Sequence, residues 1–270
     1  MRTTKRFYDG LDPDLKNALL QQVRNLWTHT STAIEGNQLT LGETDFVLSE
    51  GLTIAGKPLK DHREILGHAR AIDLVYGLLD RDALTEQDLF DLHRAVLTDA
   101  VIDMLSPAGG WKREPNSTNA VAPDGRQTII EFPAPDRVPE LMAAWLARFN
   151  AWCVGSVDEA IESYAICHLE FVSIHPFYDG NGRMARLLSN LPMLRAGLPP
   201  MVVPMERRLD YLRAIAAYQL SIPNFPANDT FPRSVEATNF AMLCRDFMQP
   251  TMDCVEYAHR LQQARGVAKS

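Results

Sequence analysis

The helical period of the apolar residues most constrains this fold, because it runs through nearly the whole chain. The first helix signal is Asp12-Pro13, where proline fits the first helical position, and the apolar spacing continues to about Ile34. Thr85 and Asp88 resemble a capping box at the start of another helix. A chain with this pattern predicts a mainly α fold. Further helices are predicted at about 40–49, 59–79, 85–97, 136–152, 157–173, 182–197, 206–221 and 233–265.

One stretch, residues 106–135, breaks the helical period. It contains five prolines, and residues 119–121 and 126–132 within it have the composition of extended segments. Pro123-Asp124-Gly125 lies between these segments and is a turn signal. The sequence therefore predicts one small β-hairpin, at about 110–135, on a helical body.

The charge balance disfavours one class of partner. The chain has 27 basic and 34 acidic side chains, a net charge of −7, and no basic run. Non-specific binding to nucleic acid needs clustered lysines and arginines that neutralise phosphates. We therefore expect no nucleic-acid partner, although a local basic site is compatible with this balance.

The cysteines and the apolar segments indicate a cellular compartment. Cys153, Cys167, Cys244 and Cys254 lie far apart without a CxxC pair, which favours buried thiols in a reducing compartment over disulfides or a zinc site. The first 14 residues lack the apolar segment of a signal peptide. No run of about 18 apolar residues is present to span a bilayer. We expect a cytoplasmic protein with no membrane partner.

The most informative segment is residues 175–186, His-Pro-Phe-Tyr-Asp-Gly-Asn-Gly-Arg-Met-Ala-Arg. Pro176 disfavours helical geometry at His175, so the preceding helix should end there. Gly180 and Gly182 permit backbone angles that let successive amides point into one concavity. An apolar-periodic helix follows, and the free N–H groups at its start favour an anion such as phosphate.

The side chains of this segment suit a bound polyphosphate. Arg183 and Arg186 share a helix face and can clamp phosphates. Asp179 is suited to hold Mg²⁺ between two phosphates, and His175 is suited to accept a proton from an attacking hydroxyl. Each signal alone usually has a structural explanation, such as a turn, a structural histidine or a solvated arginine face. Their combination at one junction between a loop and a helix favours a nucleotide site.

Segment 175–186 resembles, at every fixed position, the signature His-x-Phe-x-(Asp/Glu)-Gly-Asn-Gly-Arg-x-x-Arg of the Fic family. The resemblance implies a Fic-fold helical bundle and transfer of AMP from ATP to a Ser, Thr or Tyr of a target protein, with release of pyrophosphate. It implies that His175 is the base and that Asp179 binds Mg²⁺. The residues that it assigns to nucleotide binding are Gly180, Asn181, Gly182, Arg183 and Arg186.

The same resemblance sets the nucleotide chemistry and the partner. The Doc branch, which phosphorylates, departs from Gly-Asn-Gly, so the motif favours adenylylation, and it does not exclude UTP or GTP. Fic proteins carry a hairpin flap beside the active site, where a target segment docks as an added strand. We expect a target protein, or another copy of this chain as a target, to bind there. The alternative is that the hairpin is an ordinary surface hairpin without a docking role. As a separate point, the resemblance to the family is compatible with a homodimer.

Segment 31–37 resembles the Fic inhibitory motif (Ser/Thr)-x-x-x-Glu-(Gly/Asn), through Ser31, Glu35 and Gly36. In family members with this motif the glutamate pairs with the second arginine of the signature, here Arg186. That pair would occupy the donor that the γ-phosphate of ATP needs, so basal activity would be low without a separate antitoxin. Taken alone, the segment is also typical of a helix end with a solvated glutamate.

The contacts to adenine are expected in the helix after the signature, as the resemblance implies. Tyr211 and Gln219 are the predicted contacts, and Leu212 and Tyr218 lie in the same helix. Some relatives carry an aromatic residue where Leu212 stands. Core packing of these aromatic residues is an alternative of equal weight.

These signals predict an organisation and leave two other functions open. We expect an N-terminal helical extension at 1–84, a Fic core at 85–225 and a C-terminal helix at 226–270. The predicted activity is a protein adenylyltransferase that uses Mg²⁺ and ATP. The alternatives are removal of AMP from a modified target, with Glu35 positioning a water, and a regulatory module that binds ATP without significant transfer.

Overall fold

A computed structural model of the chain describes residues 5–98, 107–121, 125–152, 154–222 and 233–267. The α-helices of these ranges are α1 Pro13–Ile34, α2 Leu41–Glu50, α3 Leu59–Gly77, α4 Glu86–Val96, α5 Val138–Ala151, α6 Val157–Ile174, α7 Asn181–Leu188, α8 Asn190–Arg195, α9 Arg208–Ser221, α10 Val235–Asp246 and α11 Gln249–Val267. Short 3-10 turns, Pro135–Arg137 and Met205–Arg207, precede α5 and α9. The two described strands are β1 Ser117–Val121 and β2 Gln127–Glu131. The mainly α fold with a small hairpin is confirmed.

The helix starts follow the local sequence signals. At Thr40 and at Thr85 the hydroxyl accepts from the amide three residues later. The side chain there, Glu43 or Asp88, accepts in return from the threonine amide. These reciprocal bonds form two capping boxes and satisfy amides that have no partner within the helix. The predicted starts of α2 and α4 are therefore confirmed.

Two predicted helices are each divided in two, which corrects the sequence interpretation. The helix expected at 182–197 stops at Leu188, and α8 begins at Asn190. Pro192 explains this break, because its ring conflicts with a helical carbonyl at Leu188 and it has no N–H to donate. The single helix expected at 233–265 is α10 and α11, and Pro250 occupies the first turn of α11, where proline is well tolerated.

The hairpin is antiparallel, with Asn119 opposite Ile129. Ala120 points to the body and is buried, whereas Val121 and Ile129 are exposed. The predicted turn includes Pro123 and Asp124, which lie outside the described residues. The structure therefore agrees with the predicted hairpin in its strands.

Helix α1 belongs to the main hydrophobic core. Leu19, Val23 and Trp27 of this helix are buried in one apolar cluster with residues of α3 to α7 and α11. A second cluster lies under α6, α9 and α10. The proposed division at residues 84 and 225 stays a prediction, and its second boundary lies outside the described residues.

The remaining expectations concern thiols and membranes. Cys167, Cys244 and Cys254 are buried free thiols, and Cys153 lies outside the described residues. Within the described ranges, every helix is either too short or too polar to cross a membrane.

Candidate active site

His175 terminates α6 in a strained backbone conformation. Its φ and ψ are 50° and 58°, and it is the one described non-glycine residue with positive φ. Pro176 explains the end of the helix, because the residue before a proline avoids helical angles. A left-handed non-glycine residue costs free energy and persists where the surrounding structure holds it. The sequence motif thus presents the imidazole at the end of a buried helix.

A hydrogen bond and a stacked ring orient the imidazole of His175. Nδ1 lies 3.3 Å from the carbonyl of Val172, which fixes Nδ1 as the protonated nitrogen and leaves Nε2 as the acceptor. The ring of Phe132, just after β2, stacks on the imidazole at 3.8 Å between centroids and 8° between planes. Burial lowers the pKa of His175 to about 4. The side chain is therefore a neutral proton acceptor at neutral pH.

Asn181 and Phe177 close the loop that follows His175. The Asn181 side chain accepts from the Phe177 amide at 3.0 Å and donates to the Phe177 carbonyl at 2.8 Å. Both residues are buried. This paired contact explains the asparagine of the motif as a brace that fixes the loop backbone, in addition to its predicted role in nucleotide binding.

His93 on α4 supports the same loop from behind. Its Nδ1 accepts from the Gly109 amide at 2.8 Å, so Nε2 carries the proton and donates to the Asp179 carbonyl at 3.0 Å. The His93 ring stacks on Phe177 at 3.7 Å. Burial lowers the pKa of His93 to about 4, which keeps this tautomer. The imidazole therefore fixes the Asp179 carbonyl and the Phe177 ring of this loop.

The start of α7 is open to an anion. Gly180 is its N-cap, with φ of 78°, and supplies no side-chain acceptor, so the first amides of α7 remain free. Asp179 is exposed, at 73% of its side chain, and lies 3.7 Å from buried Arg183. Arg183 donates to the carbonyl of Val96 at 3.3 Å. The residues predicted to bind phosphate and metal are therefore brought together at one helix end.

Arg186 is buried and faces the last turn of α1. It donates from Nε to Ser31 Oγ at 2.9 Å, and from one terminal nitrogen to the Ser31 carbonyl at 2.8 Å and to Glu35 Oε1 at 2.6 Å. Burial acts against its charge, yet Tyr211 and Glu35 raise the pKa of Arg186 overall, so it stays cationic. The structure brings Arg186 to Ser31 and Glu35, which lie 155 and 151 positions earlier in the chain.

Gly182 leaves room for the Glu35 carboxylate. A Cβ atom on Gly182 would lie 2.6 Å from Glu35 Oε1 and 3.2 Å from a terminal nitrogen of Arg186. Such a side chain would have to displace the end of the Glu35 side chain, so the glycine leaves the space that the ion pair occupies. The carboxylate therefore sits directly over the open end of α7.

Tyr211 differs from its predicted role. Its ring is buried in the second core cluster with Phe240 and Phe247, so it is not available to stack on adenine, and the core-packing alternative holds for the ring. Its hydroxyl accepts from Arg186 at 3.1 Å and donates to His168 Nε2 at 2.8 Å. Tyr211 therefore orients the second motif arginine from the core.

Gln219 lines a cleft between the hairpin and α9. The cleft has a volume of about 510 Å³, and its walls include residues 129–133, Ser173, Gln219, Leu220 and Ile222. Gln219 donates to the carbonyl of Val172 at 3.1 Å, in the last turn before His175. Phe132 belongs to this wall and also stacks on His175, so the cleft adjoins the imidazole. Tyr218 is buried, and Leu212 is exposed.

The side chains near Asp179 determine how Mg²⁺ could bind at this site. In the described ranges no group of three or more His, Cys, Asp or Glu side chains is placed to hold a metal. Mg²⁺ commonly binds through one or two carboxylates together with substrate phosphates and waters. The single exposed carboxylate of Asp179, beside an open helix start, fits that arrangement rather than a metal site built from protein side chains alone.

Sequence reasoning missed three contributors to the site. Phe132, Lys112 and His93 have no motif spacing, and each reaches the 175–181 loop from a distant part of the chain. The available signal was indirect, since Phe132 ends the predicted hairpin. Their placement depends on how the hairpin and α4 pack, which a local pattern does not encode.

Comparisons with known proteins agree with this geometry. Residues 83–193 match the model of the Fic/DOC family. The chain is 34% identical over 200 residues to protein adenylyltransferase fic-1 of Caenorhabditis briggsae, an alignment that covers 73% of this chain. That alignment covers 37% of the relative, so this chain spans well under half the length of the curated relatives that it matches.

Solved structures share the fold over most of the chain. A Fic domain-containing signaling protein from Bacteroides thetaiotaomicron has a TM-score of 0.78 and 25% identity, over 93% of this chain and 92% of that chain. A fragment of Fic-1 from Caenorhabditis elegans has a TM-score of 0.69 and 26% identity, over 93% of this chain and 69% of that fragment. The helices outside residues 83–193 thus also have counterparts in proteins that carry Fic in their names.

Proposed function

Because the chain belongs to the Fic/DOC family, we propose that it transfers AMP from ATP to a Ser, Thr or Tyr hydroxyl of a protein. The observation that carries the proposal is the pairing of a neutral, oriented imidazole with an open helix start that is flanked by two buried arginines. The name adenylyltransferase on relatives at 32–34% identity supports the same reaction. The target protein, the modified residue and the choice of ATP over another nucleotide are part of the proposal.

The reaction needs a proton acceptor and a held triphosphate. The target oxygen attacks the α-phosphorus of ATP, and a new P–O bond forms while the bond to the bridging oxygen breaks. Pyrophosphate leaves with the electron pair of that bond, and the hydroxyl proton passes to Nε2 of His175. Nε2 is free to accept it because Nδ1 faces the carbonyl of Val172. His175 therefore acts as the catalytic base.

The phosphates would lie at the start of α7. The free amides from Asn181 to Arg183 and the guanidinium of Arg183 would hold the outer phosphates together with Arg186. Bound Mg²⁺, held by Asp179, would neutralise phosphate charge during the reaction. The adenine ring of ATP would occupy the cleft between β2 and α9, where Gln219 supplies a polar group and Phe132 an aromatic wall.

The hairpin is the proposed docking site for the target. Ile129 of β2 is 65% exposed and Val121 of β1 is 57% exposed, so the hairpin presents apolar side chains to solvent. An extended peptide can add to a strand edge through main-chain hydrogen bonds. This position is next to His175, because Phe132 follows β2 directly and stacks on the imidazole. A docked hydroxyl would therefore lie near the base.

Glu35 would restrain the transfer. Its carboxylate lies 2.6 Å from Arg186 and over Gly182, so it competes with the γ-phosphate of ATP for the same guanidinium. ATP would then bind in a pose that is poorly suited to attack at the α-phosphorus. Basal activity would be low until the pair separates.

Removal of AMP from a modified protein is a second candidate. One observation favours it: the Glu35 side chain is 41% exposed although Arg186 is buried, so the carboxylate can also contact a water beside the phosphate site. Incubation with an AMP-modified protein distinguishes the two activities. Release of AMP that depends on Glu35 supports removal, whereas incorporation of AMP that increases without Glu35 supports transfer.

The transfer is tested with ATP labelled at either end. The Glu35→Gly chain is incubated with Mg²⁺, a cell lysate and ATP that carries the label on the α- or the γ-phosphate, and proteins are separated and analysed by mass spectrometry. We expect incorporation from the α-label alone, and loss of it in the Glu35→Gly, His175→Ala double variant. Incorporation from the γ-label would identify phosphorylation, and saturable ATP binding without either label would identify a sensing module.

A further inference from the structure

Hydrogen bonds join the root of the hairpin, which is residues 112–116 before β1 and Phe132 after β2, to the loop that carries His175. Lys112 is 2% exposed, and its ammonium donates to Asn116 Oδ1 at 2.7 Å. The side-chain amide of Asn116 donates from Nδ2 to the backbone carbonyl of Phe177 at 3.1 Å. The backbone carbonyl of Asn116 accepts from the backbone amide of Phe132 at 3.2 Å. Asn116 therefore contacts both the active-site loop and the residue that ends the hairpin.

Lys112 contacts the same loop through its backbone and approaches the imidazole through its side chain. Its amide donates to the carbonyl of Pro176 at 2.9 Å. Its ammonium lies 5.7 Å from the centre of the Phe132 ring, and that ring stacks on His175. At the root of the hairpin, the Lys112 ammonium is thus a neighbour of the Phe132 ring, and that ring is a neighbour of the His175 imidazole.

Three charged side chains act on the imidazole of His175. Burial is the main cause of its low pKa, and the cation of Lys112 lowers the pKa further. The anions of Asp179 and Glu35 act in the opposite direction. Lys112 therefore acts on the pKa of the ring in the same direction as burial and opposite to the two carboxylates.

A buried ammonium is costly for the fold, which suggests a role beyond packing. Burial lowers the pKa of Lys112 to about 8, and among the described residues no carboxylate forms an ion pair with it. An apolar side chain of similar length would fill the same space at lower desolvation cost. The cation is therefore better explained by what it does to its neighbours than by the stability of the fold.

We propose that Lys112 and Asn116 are positioning residues for the proton transfer, which hold the hairpin root and Phe132 against His175 and place a cation near that pair of rings. This inference rests on the proposed function, because it assigns the residues to that reaction. It concerns the placement and protonation of the base, and it leaves nucleotide binding to other residues.

The test is a titration of the imidazoles in the full chain, followed by NMR. The His175 signal is assigned by its loss in His175→Ala. We expect Lys112→Met to raise the pKa of His175, and Lys112→Arg, which retains the charge, to leave it near the wild-type value. Lys60→Met removes a lysine whose side chain is 82% exposed on α3 and serves as the matched control. An unchanged His175 pKa in a folded Lys112→Met chain would overturn the proposal.

The rate of transfer supplies a second measurement. In the Glu35→Gly background, Lys112→Met should lower kcat about tenfold or more with little change in the KM for ATP, because misplaced catalytic groups lose rate rather than nucleotide affinity. A change confined to KM would contradict a positioning role. If no variant transfers AMP, the proposed function fails, and the NMR titration still decides whether Lys112 sets the state of His175.

A second variant covers the case in which Lys112→Met does not fold. Asn116→Asp retains the shape of the side chain but places a carboxylate next to the ammonium and removes the donor to the Phe177 carbonyl. We expect it to raise the pKa of His175 as Lys112→Met does. A folded Asn116→Asp chain with the wild-type His175 pKa and the wild-type kcat would refute the inference.

Discussion

Glu35 Oε1 lies 2.6 Å from a terminal nitrogen of Arg186, across 151 positions of sequence. The arginine is buried while the side chain of the glutamate is 41% exposed, so the two partners differ in their access to solvent. Water competes for the exposed carboxylate of Glu35 more readily than for the buried guanidinium of Arg186. Glu35 is therefore the partner that can leave the pair, and Arg186 is the one that stays in place.

Removal of the Glu35 side chain should activate the chain. We expect Glu35→Gly to raise the rate of self-modification with labelled ATP by about tenfold or more, which corresponds to ~1.4 kcal/mol or more of restored phosphate binding in the transition state. Glu50→Gly, at the exposed end of α2, is the matched control and should leave the rate unchanged. No gain over wild type would remove Glu35 from the regulation.

Ser31 should restrain Arg186 to a smaller extent. Ser31→Ala removes the hydroxyl that accepts from Arg186 Nε, but the Ser31 carbonyl and Glu35 still accept from the guanidinium. We expect an increase in transfer of about two- to fivefold, smaller than that of Glu35→Gly, because the guanidinium keeps two of its three acceptors at the end of α1. Parallel assays of Ser31→Ala and Glu35→Gly check the order. Equal activation by both would show that the hydroxyl, rather than the carboxylate, sets the restraint.

The pH dependence of transfer should report the burial of His175. Because burial lowers its pKa to about 4, the neutral ring persists as the pH falls through 6.5, the ordinary value for histidine. We expect kcat/KM of the Glu35→Gly chain to stay level from pH 7 to about 5 and to fall below about 4. Circular dichroism at each pH separates this fall from acid unfolding. A midpoint near 6.5 would indicate an imidazole exposed to water during the reaction.

The same shift has a consequence for stability. The folded pKa of His175 is below its unfolded value, so the folded state disfavours the protonated ring. Its contribution to the free energy of unfolding is therefore complete above about 6.5 and is lost as the pH falls towards about 4. His175→Ala should flatten this part of the stability curve in urea titrations between those values.

Tyr211→Phe should destabilise the fold. The substitution removes a buried hydroxyl that accepts from Arg186 and donates to His168, and it leaves both of these groups without that partner. We expect the free energy of unfolding to fall by ~1–3 kcal/mol, measured by chemical denaturation. ATP affinity in the cleft should change less than it does in Gln219→Ala. A stable Tyr211→Phe chain with weakened ATP binding would instead support a direct contact with adenine.

The sequence predicted the elements that depend on local signals. The capping threonines, the proline just after the end of α6 and the left-handed Gly197 all mark helix ends that the structure contains. The two errors, at 182–197 and 233–265, come from prolines inside an otherwise continuous apolar period. Pro192 and Pro250 were weak signals against a strong pattern, and each starts or breaks a helix through its missing N–H.

The candidate site was only partly accessible to sequence reasoning. The 175–186 segment is contiguous, so its loop-to-helix geometry follows from residue types within one short window. The braces come from elsewhere: His93 from α4, Lys112 from the segment before β1, and Tyr211 from α9. Their roles depend on tertiary packing, which brings a buried polar group to its partner only after the helices assemble.

The burial of α1 limits how the proposed restraint by Glu35 can be relieved. Leu19, Val23 and Trp27 anchor this helix in the main core, so detaching it would expose large apolar side chains to water. At the end of this helix, Ser31 and the C-cap residue Glu35 accept hydrogen bonds from Arg186. Activation therefore requires a local rearrangement of about one helical turn, and the active and restrained forms should melt at nearly the same temperature.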